Sequence, residues 1–173
     1  MLPTYRSDRV LLPVSMFFVW ITLIVAVVLS CMPFGRFLAM PDFVALVLTF
    51  WCVREPRRIG MGAGFLLGLA MDAIVGSVMG QHATAYVLLA WVAGAQARRL
   101  LWFAPGVQML YLLPLFLMVQ IVMLVLRLAA GHQFPGWEYL FTSFTTAALW
   151  LPAYYLLILP QLRPIDRDEN RPL

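Results

Sequence analysis

The chain has 173 residues, of which 63% are hydrophobic and only 12% charged, and its mean hydropathy is +0.88. A soluble domain of this length cannot bury that much apolar surface, so the composition excludes an ordinary globular protein. The net charge of +4 comes entirely from arginines clustered at the ends of apolar runs, with no aromatic-studded basic stripe. Nucleic-acid recognition is thereby set aside, and the arginines read as topology signals.

The apolar runs are continuous rather than alternating, which argues against a transmembrane barrel and for an all-α integral membrane protein. Six spans are expected, each of roughly 20 residues, enough to cross a bilayer core. The first covers 10–32, after Arg6 and Arg9, and is too long for a signal-peptide core, so it is read as an uncleaved helix. The second covers 37–53 and contains Pro41 and Asp42, with continuous helix expected from Pro41, a favoured first helical position. The others cover 59–78, 83–101, 107–127 and 138–159, with Pro114 and Pro152 expected to kink the fifth and sixth. One membrane domain thus occupies 1–160, followed by a charged cytoplasmic tail at 161–173.

Six spans place both termini on the same side. With those termini in the cytoplasm, Arg6, Arg9, Arg54, Arg57, Arg58, Arg98, Arg99, Arg163, Arg167 and Arg171 lie inside. Only Arg36 and Arg127 fall outside, a strong positive-inside asymmetry that indicates a multi-pass protein of a cytoplasmic membrane. Trp51 and Trp102 are expected at the inner boundary, and Trp137 and Tyr139 at the outer one.

No motif in the sequence carries recognisable catalytic chemistry, metal ligation or cofactor binding. His82 and His132 read as solvated loop residues, and Cys31 and Cys52 as small hydrophobes. The informative segment is the third span, where Gly60, Gly64, Gly68, Asp72, Gly76 and Gly80 recur at every fourth position. A stride of four overshoots the helical turn by about 40° per step, so the row cannot form one flat face. Gly64, Gly68, Asp72 and Gly76 span about 120° and form one packing unit, directed at a sibling helix or at a separate chain.

Asp72 is the one ionisable residue expected well inside a span, about 21 Å along the helix from Arg58. An unpaired carboxylate at that depth is costly. Thr142 and Thr146, which share a face of the sixth span, and Arg127 at the end of the fifth are its candidate partners by depth. The favoured reading of Asp72 is a polar lock on helix packing, with a ligand or proton site as the alternative.

Together these residues resemble the family of bacterial rod shape-determining proteins called MreD. The resemblance rests on Pro41-Asp42-Phe43, Trp51, Glu55-Pro56 before a basic pair, Gly64-Phe65-x-x-Gly68-Leu69-x-x-Asp72, and then Gly80 and Ala83. It implies a non-enzymatic scaffold of the cell-elongation machinery for peptidoglycan synthesis in the bacterial inner membrane, without cofactors. The partners it implies are a bitopic MreC-type protein and, through it, MreB, a RodA-type glycosyltransferase and a penicillin-binding transpeptidase. The motif residues Gly64, Phe65, Gly68, Leu69 and Asp72, with Pro41 and Asp42, are the positions it singles out. It also implies a fold similar to the substrate-binding subunits of energy-coupling-factor transporters. That similarity makes a vitamin- or small-molecule-binding transporter subunit the rival reading.

Overall fold

The computed structural model describes residues 15–32 and 40–161. The start of the first expected span, residues 37–39 of the second, the tail from 162, and Arg6, Arg9, Arg36, Arg163, Arg167 and Arg171 lie outside the described residues. The described chain is all helical: α1 (Met16–Cys31), α2 (Phe43–Arg54), α3 (Met61–Val75), α4 (Gln81–Leu100), α5 (Pro105–Ala129), α6 (Glu138–Ala148) and α7 (Trp150–Ile158), ending in a 3-10 turn at Leu159–Gln161. The sixth expected span is divided at Leu149 because Pro152 has no N–H to offer the carbonyl one turn back. Pro114, by contrast, sits inside an uninterrupted α5.

The helices match the expected spans in order but not in length. Among the described residues, only α5, with 25 residues, and the 24-residue run from Glu138 to Gln161 are long and apolar enough to cross a membrane by length and composition. α1, α2 and α3 are shorter apolar helices, and the ends of α2 and α3 show why. α2 starts at Phe43 rather than Pro41, since Asp42 is its N-cap and accepts the Ala45 N–H at 2.8 Å. α3 stops at Val75 because Gly76 adopts the left-handed conformation (φ 67°) and returns its N–H to the Asp72 carbonyl.

α3 packs against α4, α4 against α2 and α5, α5 against α6, and α1 against α2. The interior helix is α2, buried on nearly every side from Val44 to Val53, as expected for a segment apolar all round. Trp51 is fully buried within it, with its indole N–H donating to the Thr22 hydroxyl of α1 at 2.8 Å. It is a core residue and not the boundary anchor its position suggested, whereas Trp102 and Trp137 are exposed. At the C-terminal end of α2, the Arg54 guanidinium donates to the Tyr154 hydroxyl at 2.9 Å and lies over the Phe50 and Tyr154 rings. The outer faces of α1 and α3 carry Phe17, Ile24, Val28, Phe65 and Leu66, a surface suited to lipid or to another helix.

Candidate functional site

The distinctive region of the molecule is built by two glycines. A Cβ on Gly64 would lie 2.6 Å from the Tyr86 carbonyl oxygen, and one on Gly68 would lie 2.5 Å from the Ala83 nitrogen. Both distances are far inside van der Waals contact, so only glycine lets the α3 backbone approach the first turns of α4 this closely. The packing unit therefore faces a sibling helix along Gly64 and Gly68. Gly76 does not belong to that contact, since it is exposed, has open space beside it and serves as the C-cap of α3. Phe65 is exposed and Leu69 half-buried, so the motif divides into an inward glycine face and an outward apolar one.

This close approach brings Asp72, which is 3% exposed, onto the start of α4. The N-cap of α4 is Gly80, which has no side chain to satisfy the free N–H groups of the first turn. Asp72 supplies the cap from the preceding helix. Its carboxylate accepts the backbone N–H of Gly80 at 2.8 Å, of His82 at 2.9 Å and of Ala83 at 3.3 Å. The Ser77 hydroxyl donates to Oδ1 at 2.7 Å, and His82 Nδ1 lies 2.8 Å from the same oxygen. A carboxylate only accepts, so Nδ1 carries the proton in that contact. The negative charge also meets the positive end of the α4 dipole. Meanwhile the Asp72 carbonyl accepts the N–H of Gly76 and of Ser77, closing α3. One residue thus ends one helix and begins the next.

Ser77, His82 and Asp72 are the residue types of a hydrolytic triad, but they do not form its relay. Such a relay uses both ring nitrogens, one for the acid and one for the hydroxyl. Here the Ser77 hydroxyl donates to Asp72 itself, and its contact with the ring, 3.2 Å, is to the same Nδ1. The arrangement holds a turn together and leaves the hydroxyl without a base.

A second carboxylate lies one helical turn away along α4. The Tyr86 hydroxyl donates to both oxygens of Asp42, at 2.9 and 3.0 Å, while the Asp42 backbone N–H donates to the Thr146 hydroxyl at 2.9 Å. Asp42 therefore ties α2, α4 and α6. His82 and Tyr86 stand at i, i+4 on one face of α4, with ring centroids 5.8 Å apart, so one turn of α4 serves both carboxylates.

The partners expected for Asp72 lie elsewhere. Thr146 serves Asp42, and its own hydroxyl donates to the Thr142 carbonyl at 2.6 Å. Arg127 has a buried Nε with no hydrogen-bond partner. The depth argument failed because α3 ends soon after Asp72, which places the carboxylate at a helix junction rather than mid-span. It missed Ser77 and His82, whose signal was an acid shortly before a glycine N-cap that cannot cap itself, and Tyr86, which serves Asp42 rather than Asp72, was missed as well.

The family model described as rod shape-determining protein MreD matches residues 8–159. The Rod shape-determining protein MreD of Haemophilus influenzae is 30% identical to this chain over 149 residues, covering 80% of the chain and 89% of that protein. No solved structure matches, so the expected likeness to energy-coupling-factor subunits is not shown.

Proposed function

Because the chain belongs to the MreD family of rod shape-determining proteins, we propose that it acts in rod-shape determination as a non-enzymatic scaffold of the inner membrane. It works by lateral helix contacts with a bitopic MreC-type protein. Through that protein it reaches MreB, the RodA-type glycosyltransferase and the penicillin-binding transpeptidase of peptidoglycan synthesis. The observation that carries this reading is how the α3 motif is divided. Gly64 and Gly68 are spent on α4, while Phe65 and Leu66, 49% and 61% exposed, face outward beside them. A rigid internal lock holding an outward apolar ridge in place is what a scaffold needs, since helices in lipid associate through packing. The clustering of Arg54, Arg57 and Arg58 before α3 and of Arg98 and Arg99 at the end of α4 supports cytoplasmic termini.

The test is depletion in the native host, with cell shape imaged, followed by complementation with a Phe65→Ser/Leu66→Ser variant. Rounding on depletion is expected, as is loss of MreC co-purification at normal membrane levels of the variant. Unchanged shape on depletion, with lost uptake of a small molecule, overturns the scaffold in favour of transport.

A further inference from the structure

Among α1 to α6 lies an open cavity of about 300 Å³ whose polar wall includes Ser30, Asp42, His82, Gln120, Tyr139 and Thr142, with Tyr86 beside Asp42. Its polar groups are lopsided in character. The Asp42 carboxylate accepts from the Ala45 N–H and the Tyr86 hydroxyl, but it forms no ion pair with an arginine among the described residues, and the nearby His82 has its Nδ1 against Asp72. Gln120 is 4% exposed, and its buried Oε1 has no hydrogen-bond partner. A buried amide oxygen left unpaired is expensive, and so is a carboxylate in the membrane without a counter-charge. Both deficits are met by the same thing, a cation that donates hydrogen bonds.

We propose that this cavity binds a primary ammonium group, held by the Asp42 carboxylate and the Gln120 amide oxygen, with the Tyr86 and Tyr139 rings beside it. Carboxylate and amide oxygens need N–H donors, which a quaternary ammonium lacks, while aromatic rings favour any cation. The volume leaves room for more than a lone ammonium ion, so a larger body can carry the group. A primary ammonium is carried by the ethanolamine headgroup of a membrane aminophospholipid, and by phosphoethanolamine as a free molecule.

The experiment uses the full chain purified in mild detergent and stripped of lipid. Native mass spectrometry then counts bound short-chain phosphatidylethanolamine, phosphatidylcholine and phosphatidylglycerol, and thermal unfolding is followed with free phosphoethanolamine. Preference for phosphatidylethanolamine over phosphatidylcholine is expected, weakened about tenfold by Gln120→Leu, the factor for one charge-assisted hydrogen bond. Asp42→Asn, which removes the charge while keeping an acceptor for the Ala45 N–H, serves as the second variant should Gln120→Leu unfold, and a weaker preference is expected there too. Stabilisation by free phosphoethanolamine as well as the lipid assigns the site to the shared chemistry, and binding of the lipid alone assigns it to the headgroup. Equal retention of the ethanolamine and choline lipids, or a preference untouched in a folded variant, overturns the proposal and leaves the cavity to water.

Discussion

Asp42 and Asp72 both cap a helix, yet they do different work. Asp42 caps its own helix, as N-caps ordinarily do, and also accepts from Tyr86 of a helix distant in sequence. Asp72 caps a helix other than its own, at a site where glycine stands at the N-cap. The first carboxylate fastens elements far apart in the chain; the second fastens two neighbours across a tight turn. The difference teaches that the glycines and the acid of α3 form one device. Gly64 and Gly68 set the separation, and only at that separation does the Asp72 carboxylate reach the first turn of α4.

The comparison is tested hardest at Gly68. Gly68→Leu must drive a side chain into the Ala83 backbone, and overpacking of this kind costs about 3 kcal/mol or more. Thermal unfolding in detergent should show a drop of several degrees, with loss of folded protein from membranes. Gly62→Leu, which meets open space, should unfold close to wild type. Equal behaviour of the two variants would break the claim that α3 packs on α4 through this row.

Asp72→Asn comes next. An amide keeps one acceptor but turns its NH2 toward N–H donors, so at least one of the three backbone groups loses its partner. The expected loss is about 2 kcal/mol, because hydrogen bonds to charge are the strong ones. Amide hydrogen exchange at Gly80, His82 and Ala83 should speed up. Wild-type protection there would show that the carboxylate is not the cap.

Asp42→Asn should cost less, about 1 kcal/mol. The amide oxygen can keep the Ala45 N–H while its NH2 donates to the Tyr86 oxygen, which also accepts. If Asp42→Asn proves worse than Asp72→Asn, the ranking of the two stations is reversed. The smallest effect is expected for Ser77→Ala, below about 1 kcal/mol, since one of five contacts to Asp72 is lost while the backbone cap remains. Urea midpoints for all three single variants in the same detergent give the ordering directly.

Much of this was legible before any coordinates. The helix order and the crowding implied by Gly64 and Gly68 follow from local rules of propensity and side-chain size, whereas the stop at Gly76 did not, since the third span was expected to run to 78. The resemblance through Gly64, Phe65, Gly68, Leu69 and Asp72 also led to the family that the comparisons show. The partners of Asp72 were not legible. Depth along an idealised rod placed Thr142, Thr146 and Arg127 beside it, because the rod was assumed to continue past Gly76. Once the chain turns there, Ser77 and His82 are nearer than anything on the sixth span. Nor did hydropathy distinguish Trp51 in the core from Trp102 on the surface, since both lie at the end of an apolar run.

By itself the sequence determined that the chain is helical and apolar, where its glycines permit contact, and where its charges are rare enough to matter. Those properties depend on each residue and its near neighbours. Only the tertiary structure decided which helix fills the glycine face and that one turn of α4 serves both carboxylates. Such pairings depend on which donors and acceptors come within about 3 Å of one another, and hydrogen-bond geometry is too steep in distance for sequence spacing to stand in for it.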